Sequence, residues 1–128
     1  MNVLLDTHIA LWAITDSPKL PDAAREIILA ESTTIHVSAA SVWEIAIKYS
    51  LQRGDMPVSG RAALGYFRAA GYWLLPIEAE HTVVVEGLPL HHQDPFDRLI
   101  VAQSLTEPLR LITHDRQVAR YSDTILLV

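Results

Sequence analysis

The stretch Asn2-Val3-Leu4-Leu5-Asp6-Thr7 sets an apolar run of strand length directly against an acid. Leu111-Ile112-Thr113-His114-Asp115 repeats that arrangement near the other end of the sequence. Neither run alternates with polar residues, which is the pattern of strands covered on both faces. Working outward, runs of the same kind occupy Asn2–Leu5, Thr34–Val37, Tyr72–Ile77, Leu109–Thr113 and Thr124–Val128. Between them lie segments with helical spacing: Ala24, Ile27 and Ile28 share one face, and Phe96, Leu99 and Ile100 share another. Val42–Leu51 is apolar nearly all round and predicts a central helix. Pro21 and Pro95 suit first helical positions, and Gly54 and Gly71 suit helix ends. Strands alternating with helices predict an α/β fold, a three-layer sandwich with a mostly parallel sheet of about five strands and helices on both faces. In such folds functional residues gather beyond the carboxyl ends of the strands, near the switch in strand order.

The 128 residues, 50% of them hydrophobic and 20% charged, suffice for one domain with a packed core and are too few for two. A mean hydropathy of +0.21 is high for this size and predicts apolar surface covered by a partner. The absence of cysteine excludes a disulfide framework, a Cys-ligated zinc site and a Cys nucleophile. The longest stretch without Asp, Glu, Lys or Arg is Ser32 to Trp43, twelve residues, too short to span a bilayer. Asp6 interrupts the first apolar run and no cationic residue precedes it, unlike a signal peptide. The expectation is a soluble, cytoplasmic protein without a membrane association. A net charge of −5 disfavours tight passive binding to nucleic acid. That total hides a basic stretch: from Lys48 to Gly71, the cations Lys48, Arg53, Arg61 and Arg68 stand against Asp55 alone.

Asp6, Glu44, Asp97 and Asp115 fall at or near strand ends or in the first turns of helices that reach them. Each has a plain structural reading. Asp6 and Asp115 suit N-caps, Asp97 suits the capping-box position after Asp94-Pro95, and Glu44 suits a pair with Ser41 or Lys48. Asp94, just before a proline and a periodic helix, reads as a cap. The joint pattern says more than any one position. Glu44 lies within Val42-Trp43-Glu44-Ile45, where a carboxylate is costly unless compensated. Carboxylates converging on one cleft repel, and a divalent cation removes the repulsion. Oxygen-only donors suit Mg²⁺ or Mn²⁺, which can activate water and stabilise a phosphate under attack.

The sequence resembles the PIN-domain ribonucleases, and within them the VapC toxins of type II toxin–antitoxin pairs. The likeness covers Leu4-Leu5-Asp6-Thr7-His8 with Leu11-Trp12, and Val37-Ser38-Ala39-Ala40-Ser41 with Trp43-Glu44-Ile45. It continues through Gly87-Leu88-Pro89-Leu90-His91-His92, Asp94-Pro95-Phe96-Asp97-Arg98 with Ala102-Gln103, and Thr113-His114-Asp115. The order and spacing of separate motifs make it specific. The resemblance implies a single PIN domain over residues 1–128, and an endoribonuclease that hydrolyses RNA phosphodiesters. It implies Mg²⁺, with Mn²⁺ as the alternative, held by Asp6, Glu44, Asp97 and Asp115, with Thr7 and Thr113 as accessory residues. It also implies a homodimer, or a larger toxin–antitoxin assembly, inhibited by a VapB-type antitoxin lying in the groove.

Lys48, Arg53, Arg61 and Arg68 are candidate contacts for the RNA backbone or an acidic antitoxin segment, against the alternative of a solvated helix face. His8 and His114 read as packing residues, His91-His92 as surface, and Trp12, Trp43 and Trp73 as core or dimer interface. A phosphorelay receiver has the same size and fold class. It needs paired acids after the first strand and a late lysine, whereas Thr7 follows Asp6 and the only lysines are Lys19 and Lys48. A binding module whose acids are all caps, and a DNase of the same fold, are the remaining alternatives.

Overall fold

The computed structural model describes residues 1–52 and 56–128. Five strands, β1 (Asn2–Leu5), β2 (Thr34–Ser38), β3 (Trp73–Leu75), β4 (Arg110–Thr113) and β5 (Leu126–Leu127), form one sheet in the order β3-β2-β1-β4-β5. Every pairing is parallel. Leu5 sits opposite Val37 on one side and Ile112 on the other, so the central strands are in register to their carboxyl ends.

The pleat divides the core in two. Val3, Leu5, Ile35, Val37 and Ile112 face α1 (Thr7–Ile14), α2 (Asp22–Leu29) and α4 (Gly60–Ala69), whose Ile9, Ala24 and Phe67 close that layer. Leu4 and Leu111 point the other way, into a layer built from Ile100 and Val101 of α6 (Pro95–Thr106) and Val118 of α7 (Arg116–Ala119). Strands buried on both faces explain the unbroken apolar runs. A 3-10 turn, Val85–Gly87, follows α5 (Ala79–Val84). The expected α/β sandwich with a parallel five-stranded sheet is thus the observed one.

Helix α3 (Ala39–Ser50) touches α1, α4 and α6, placing Ala40 in one core layer and Ile45 in the other. Its apolar surface is not covered all round. Trp43, Ala46 and Tyr49 are exposed, because α3 packs only along the side carrying Ala40, Ser41, Glu44 and Ile45. Trp73 is likewise exposed, at the start of edge strand β3, and neither it nor Trp43 belongs to the core. Trp12 does pack against it. Pro95 opens α6 as expected, but Pro21 caps α2 with extended ψ instead of occupying its first turn. Gly71, at φ +80, supplies the left-handed turn after α4, while Gly54 lies outside the described residues. Among the described residues, no helix is long and apolar enough to cross a membrane.

Candidate active site

The chain runs outward from β1 to β2 and β3, then returns to β4 on the other side of β1, which makes the β1–β4 boundary the switch point of the sheet. Loops leaving these two strands diverge there and open a crevice at their carboxyl ends. Asp6 leaves β1 and Asp115 follows β4, so parallel pairing brings both to that crevice.

Capping and site roles turn out to be compatible. Asp6 uses Oδ1 to accept from Ile9 N–H at the start of α1 (2.9 Å), and its Oδ2 accepts from the Thr113 hydroxyl. Asp115 uses Oδ1 to accept from Gln117 N–H (2.8 Å), leaving Oδ2 turned toward the crevice. In each acid one oxygen orders the helix start, and the other meets Thr113 or His92 with a further lone pair to spare. Thr113 Oγ1 also accepts from Asp115 N–H (3.0 Å), tying the two strand ends together. Thr7 donates to Ser41 Oγ (2.9 Å) and so fixes α1 against α3. Asp94 caps α6, accepting from Phe96 and Asp97 N–H through the same oxygen.

Glu44 comes from the inner side of α3 and is 2% exposed. Its Oε2 lies 2.6 Å from Lys48 Nζ, one helical turn on. Its Oε1 is buried without a hydrogen-bond partner, the only such side-chain atom among the described residues. A buried carboxylate oxygen left bare costs free energy in the absence of a donor or a cation.

Asp97 turns away from a capping-box role toward a residue that the sequence pattern does not single out. His92 Nε2 donates to Asp115 Oδ2 at 3.0 Å and lies 3.2 Å from Asp97 Oδ2. The ligand atoms of His92, Asp97 and Asp115 all fall within 4.8 Å of one another, a spacing that one metal ion can bridge. His92 is therefore not a surface residue, as its polar loop suggests. No period in the sequence marks it: the loop is gathered in space by the Arg98 guanidinium. It donates to the carbonyls of Val85, Leu88 and Pro89 and to the Tyr121 hydroxyl, while Tyr121 accepts from His92 N–H.

The charges of the site act on one another. Burial, and then the neighbouring Asp94, Glu44 and Asp6, push the Asp97 carboxyl up to about 7. Burial raises Asp6 as well, against the hydrogen bonds from Thr113 and Ile9. Asp115 is the exception: burial alone would lift it, but the Gln117 N–H and the His92 hydrogen bond hold it below the ordinary carboxylate value. Lys48 is raised because its bond to Glu44 and the fields of Asp94 and Asp97 outweigh its partial burial.

Lys48 is accordingly engaged inside the site, whereas Arg61 and Arg68 are exposed on α4. Arg53 lies outside the described residues. Arg68 borders an apolar groove of about 400 Å³ lined by Val42, Trp43, Ala46, Leu64 and Leu74. Trp43 also packs edge-on against Phe96, in the first turn of α6 just before Asp97, at 4.8 Å between ring centroids. His8 and His114 both pack against Trp12, as expected of them.

The family model described as the PIN domain matches residues 3–123. The chain belongs to the PIN domain family. Ribonuclease VapC22 of Mycobacterium tuberculosis is 27% identical over 120 residues, covering 91% of this chain and 89% of the relative. The fold is that of VapBC2 from Rickettsia felis, solved bound to a promoter DNA fragment, at TM-score 0.70 and 21% identity over 100% of this chain and 98% of that one. A toxin–antitoxin complex from Klebsiella pneumoniae matches at TM-score 0.64 and 16% identity, covering 97% of this chain and 95% of that one. FitAcB from Neisseria gonorrhoeae matches at TM-score 0.61 and 16% identity, over 100% of this chain and 97% of that one.

PIN nucleases use divalent metal ions, and the residues of this PIN chain fit one. Apart from the His92 imidazole, its potential donors are carboxylate oxygens, the kind that hard cations prefer. The bare Oε1 of Glu44 and the mutual repulsion that lifts Asp97 are both relieved by a cation among them.

Proposed function

We propose that residues 1–128 form a single PIN unit acting as a metal-dependent endoribonuclease toxin of the VapC type, with Mg²⁺ or Mn²⁺ held by Asp6, Glu44, Asp97 and Asp115. The observation that carries this reading is the convergence of these acids at the β1–β4 switch point, with a buried oxygen of Glu44 left bare. The ribonuclease name of the Mycobacterium tuberculosis relative supports RNA as the substrate.

The metal supplies positive charge for the scissile phosphate and polarises the attacking water. The chain's own residues prepare the place. Thr113 holds Asp6 and the backbone of Asp115 in fixed orientation, so the donor oxygens need little rearrangement on binding. Lys48 balances the charge of Glu44 at the back of the site. The water must give up a proton as it attacks, and a carboxylate with a free oxygen in the crevice can take it.

The VapBC and toxin–antitoxin neighbours support a VapB-type antitoxin as partner. The groove between α3 and α4, apolar apart from Arg68, suits an apolar antitoxin segment carrying an acid. Among the described residues of the proposed RNA or antitoxin contact set, Arg61 and Arg68 are the exposed cations. A homodimer in the cytoplasm completes the reading.

The test is cleavage of RNA by the purified chain with Mg²⁺ or Mn²⁺, with EDTA, and beside Asp97→Asn. Metal-dependent cutting that disappears in the variant supports the reading. Cutting that survives EDTA, or full activity in the variant, overturns the metal site. Absence of cutting together with absence of a metal-induced thermal shift leaves a binding module whose acids are caps.

A further inference from the structure

His92 is brought to the acids with more support than a surface loop requires. Its backbone N–H donates to the Tyr121 hydroxyl (3.0 Å), which also lies 2.9 Å from Arg98. Arg98 in turn gathers carbonyls of the preceding loop. The ring itself is used at both nitrogens. Nδ1 is 3.0 Å from the backbone nitrogen of Asp94, and Nε2 faces Asp115 and Asp97.

That geometry decides which nitrogen carries hydrogen. A backbone N–H can only donate, so Nδ1 must present its lone pair to Asp94, and the hydrogen sits on Nε2. A ring that gave its Nε2 lone pair to a cation would carry hydrogen on Nδ1, setting two N–H groups against each other at 3.0 Å. The nitrogen nearest the acids is therefore built as a donor. Its reach is also well matched: the Oδ2 atoms of Asp97 and Asp115 both lie within contact of it. Each carboxylate keeps other lone pairs for a cation.

We propose that His92 is a positioning residue of the metal site, its Nε2–H holding Asp115 and facing Asp97 so that the two carboxylates stand at the spacing of a shared cation, without entering the coordination shell itself. This inference rests on the metal-dependent reading above. Asp94 then has a double part, capping α6 with its carboxylate and orienting the His92 ring with its backbone. Such partners behind metal ligands commonly change affinity by about 10- to 100-fold when removed.

The experiment measures Mn²⁺ binding by titration calorimetry and by electron paramagnetic resonance in the full chain and in His92→Ala, His92→Gln and His92→Asn. Folding of each is followed by circular dichroism in EDTA. Glutamine can place an amide N–H near the Nε2 position, while asparagine reaches only the Nδ1 position. The expected result is Mn²⁺ affinity weakened about 10- to 100-fold in His92→Ala, largely recovered in His92→Gln and not in His92→Asn. Cleavage by His92→Ala should return at saturating Mn²⁺. Spin-echo spectra of the Mn²⁺-loaded wild type should show no directly bound nitrogen, a measurement that needs no variant. Directly bound nitrogen would overturn the proposal, as would unchanged affinity in His92→Ala or a glutamine variant no better than alanine. Failure of the wild type to bind Mn²⁺ at all would overturn the metal reading itself, which the other outcomes leave standing.

Discussion

The hydroxyl of Thr113 donates to Oδ2 of Asp6 across 107 residues of sequence. Thr113 Oγ1 itself accepts from the Asp115 N–H, so one side chain sets the carboxylate of one strand end and the backbone of the other. Replacing the hydroxyl by a methyl in Thr113→Val leaves the shape and removes both bonds. Oδ2 of the buried Asp6 then lacks a donor, at a cost of roughly 1–3 kcal/mol. Denaturant unfolding in EDTA should show that loss, and cleavage should fall with it, while Thr113→Ser keeps both near wild type. Equal stability of Thr113→Val and wild type would contradict this account.

The metal-free chain should lose stability as pH rises from 3.8 to about 7. Asp97 stands at about 7 when folded against an ordinary 3.8. Below the lower value both states hold the proton. Between the two, the unfolded chain is ionised while the folded one keeps its proton, so raising pH favours unfolding by up to about 1.4 kcal/mol per unit. Above 7 the penalty is constant. Raised Asp6 acts in the same direction; lowered Asp115 acts oppositely, but only in the acid range. Melting temperatures in EDTA between about pH 4 and pH 7, a window of about three units set by that shift, should fall with pH and flatten in Asp97→Asn.

Asp97→Asn should separate stability from activity. Removing the charge relieves repulsion from Asp94, Glu44 and Asp6, so the variant should melt above the wild type at pH 8 in EDTA. It should also lose most of the thermal shift on adding metal and should not cut RNA. Asp6→Asn should be inactive too, with its fold intact. A variant that unfolds would mark its acid as structural.

Among the described residues, Lys48 is the one cation bonded to buried Glu44. Lys48→Met should strand that carboxylate and destabilise the metal-free chain by about 3 kcal/mol, the low end for a broken buried pair because Lys48 is partly exposed. Saturating Mg²⁺ should recover part of the loss if Glu44 is a ligand. Chemical denaturation with and without the ion distinguishes the two contributions.

Gly60 opens α4 where it presses on α3, and a Cβ placed there would meet the Ala46 Cβ at 2.7 Å. Gly60→Ala should push the two helices apart and cost roughly 1–3 kcal/mol. Because Trp43 and Ala46 line the groove between them, the same change should weaken antitoxin binding more than RNA cleavage. Comparing the two assays in one variant checks that separation.

Much of this arrangement is legible in the linear order of residues. Apolar runs such as Val3-Leu4-Leu5 and Leu111-Ile112 specify doubly covered strands, and the helical segments between them enforce parallel crossovers. Parallel pairing then carries Asp6 and Asp115 to one edge, and Asp94-Pro95 starts the helix bearing Asp97. These are short-range patterns of period, capping and strand end, and a sequence displays them directly. Tertiary structure alone decided the rest. The exposure of Trp43 depends on which side of α3 its neighbours cover, since an all-round apolar helix has no preferred inner face. His92 reaches Asp115 because Arg98 and Tyr121 fold its loop back, through contacts separated by up to 29 residues that follow no periodic rule. A local pattern tells a carboxylate that it ends a strand; only the packed chain tells it what stands opposite.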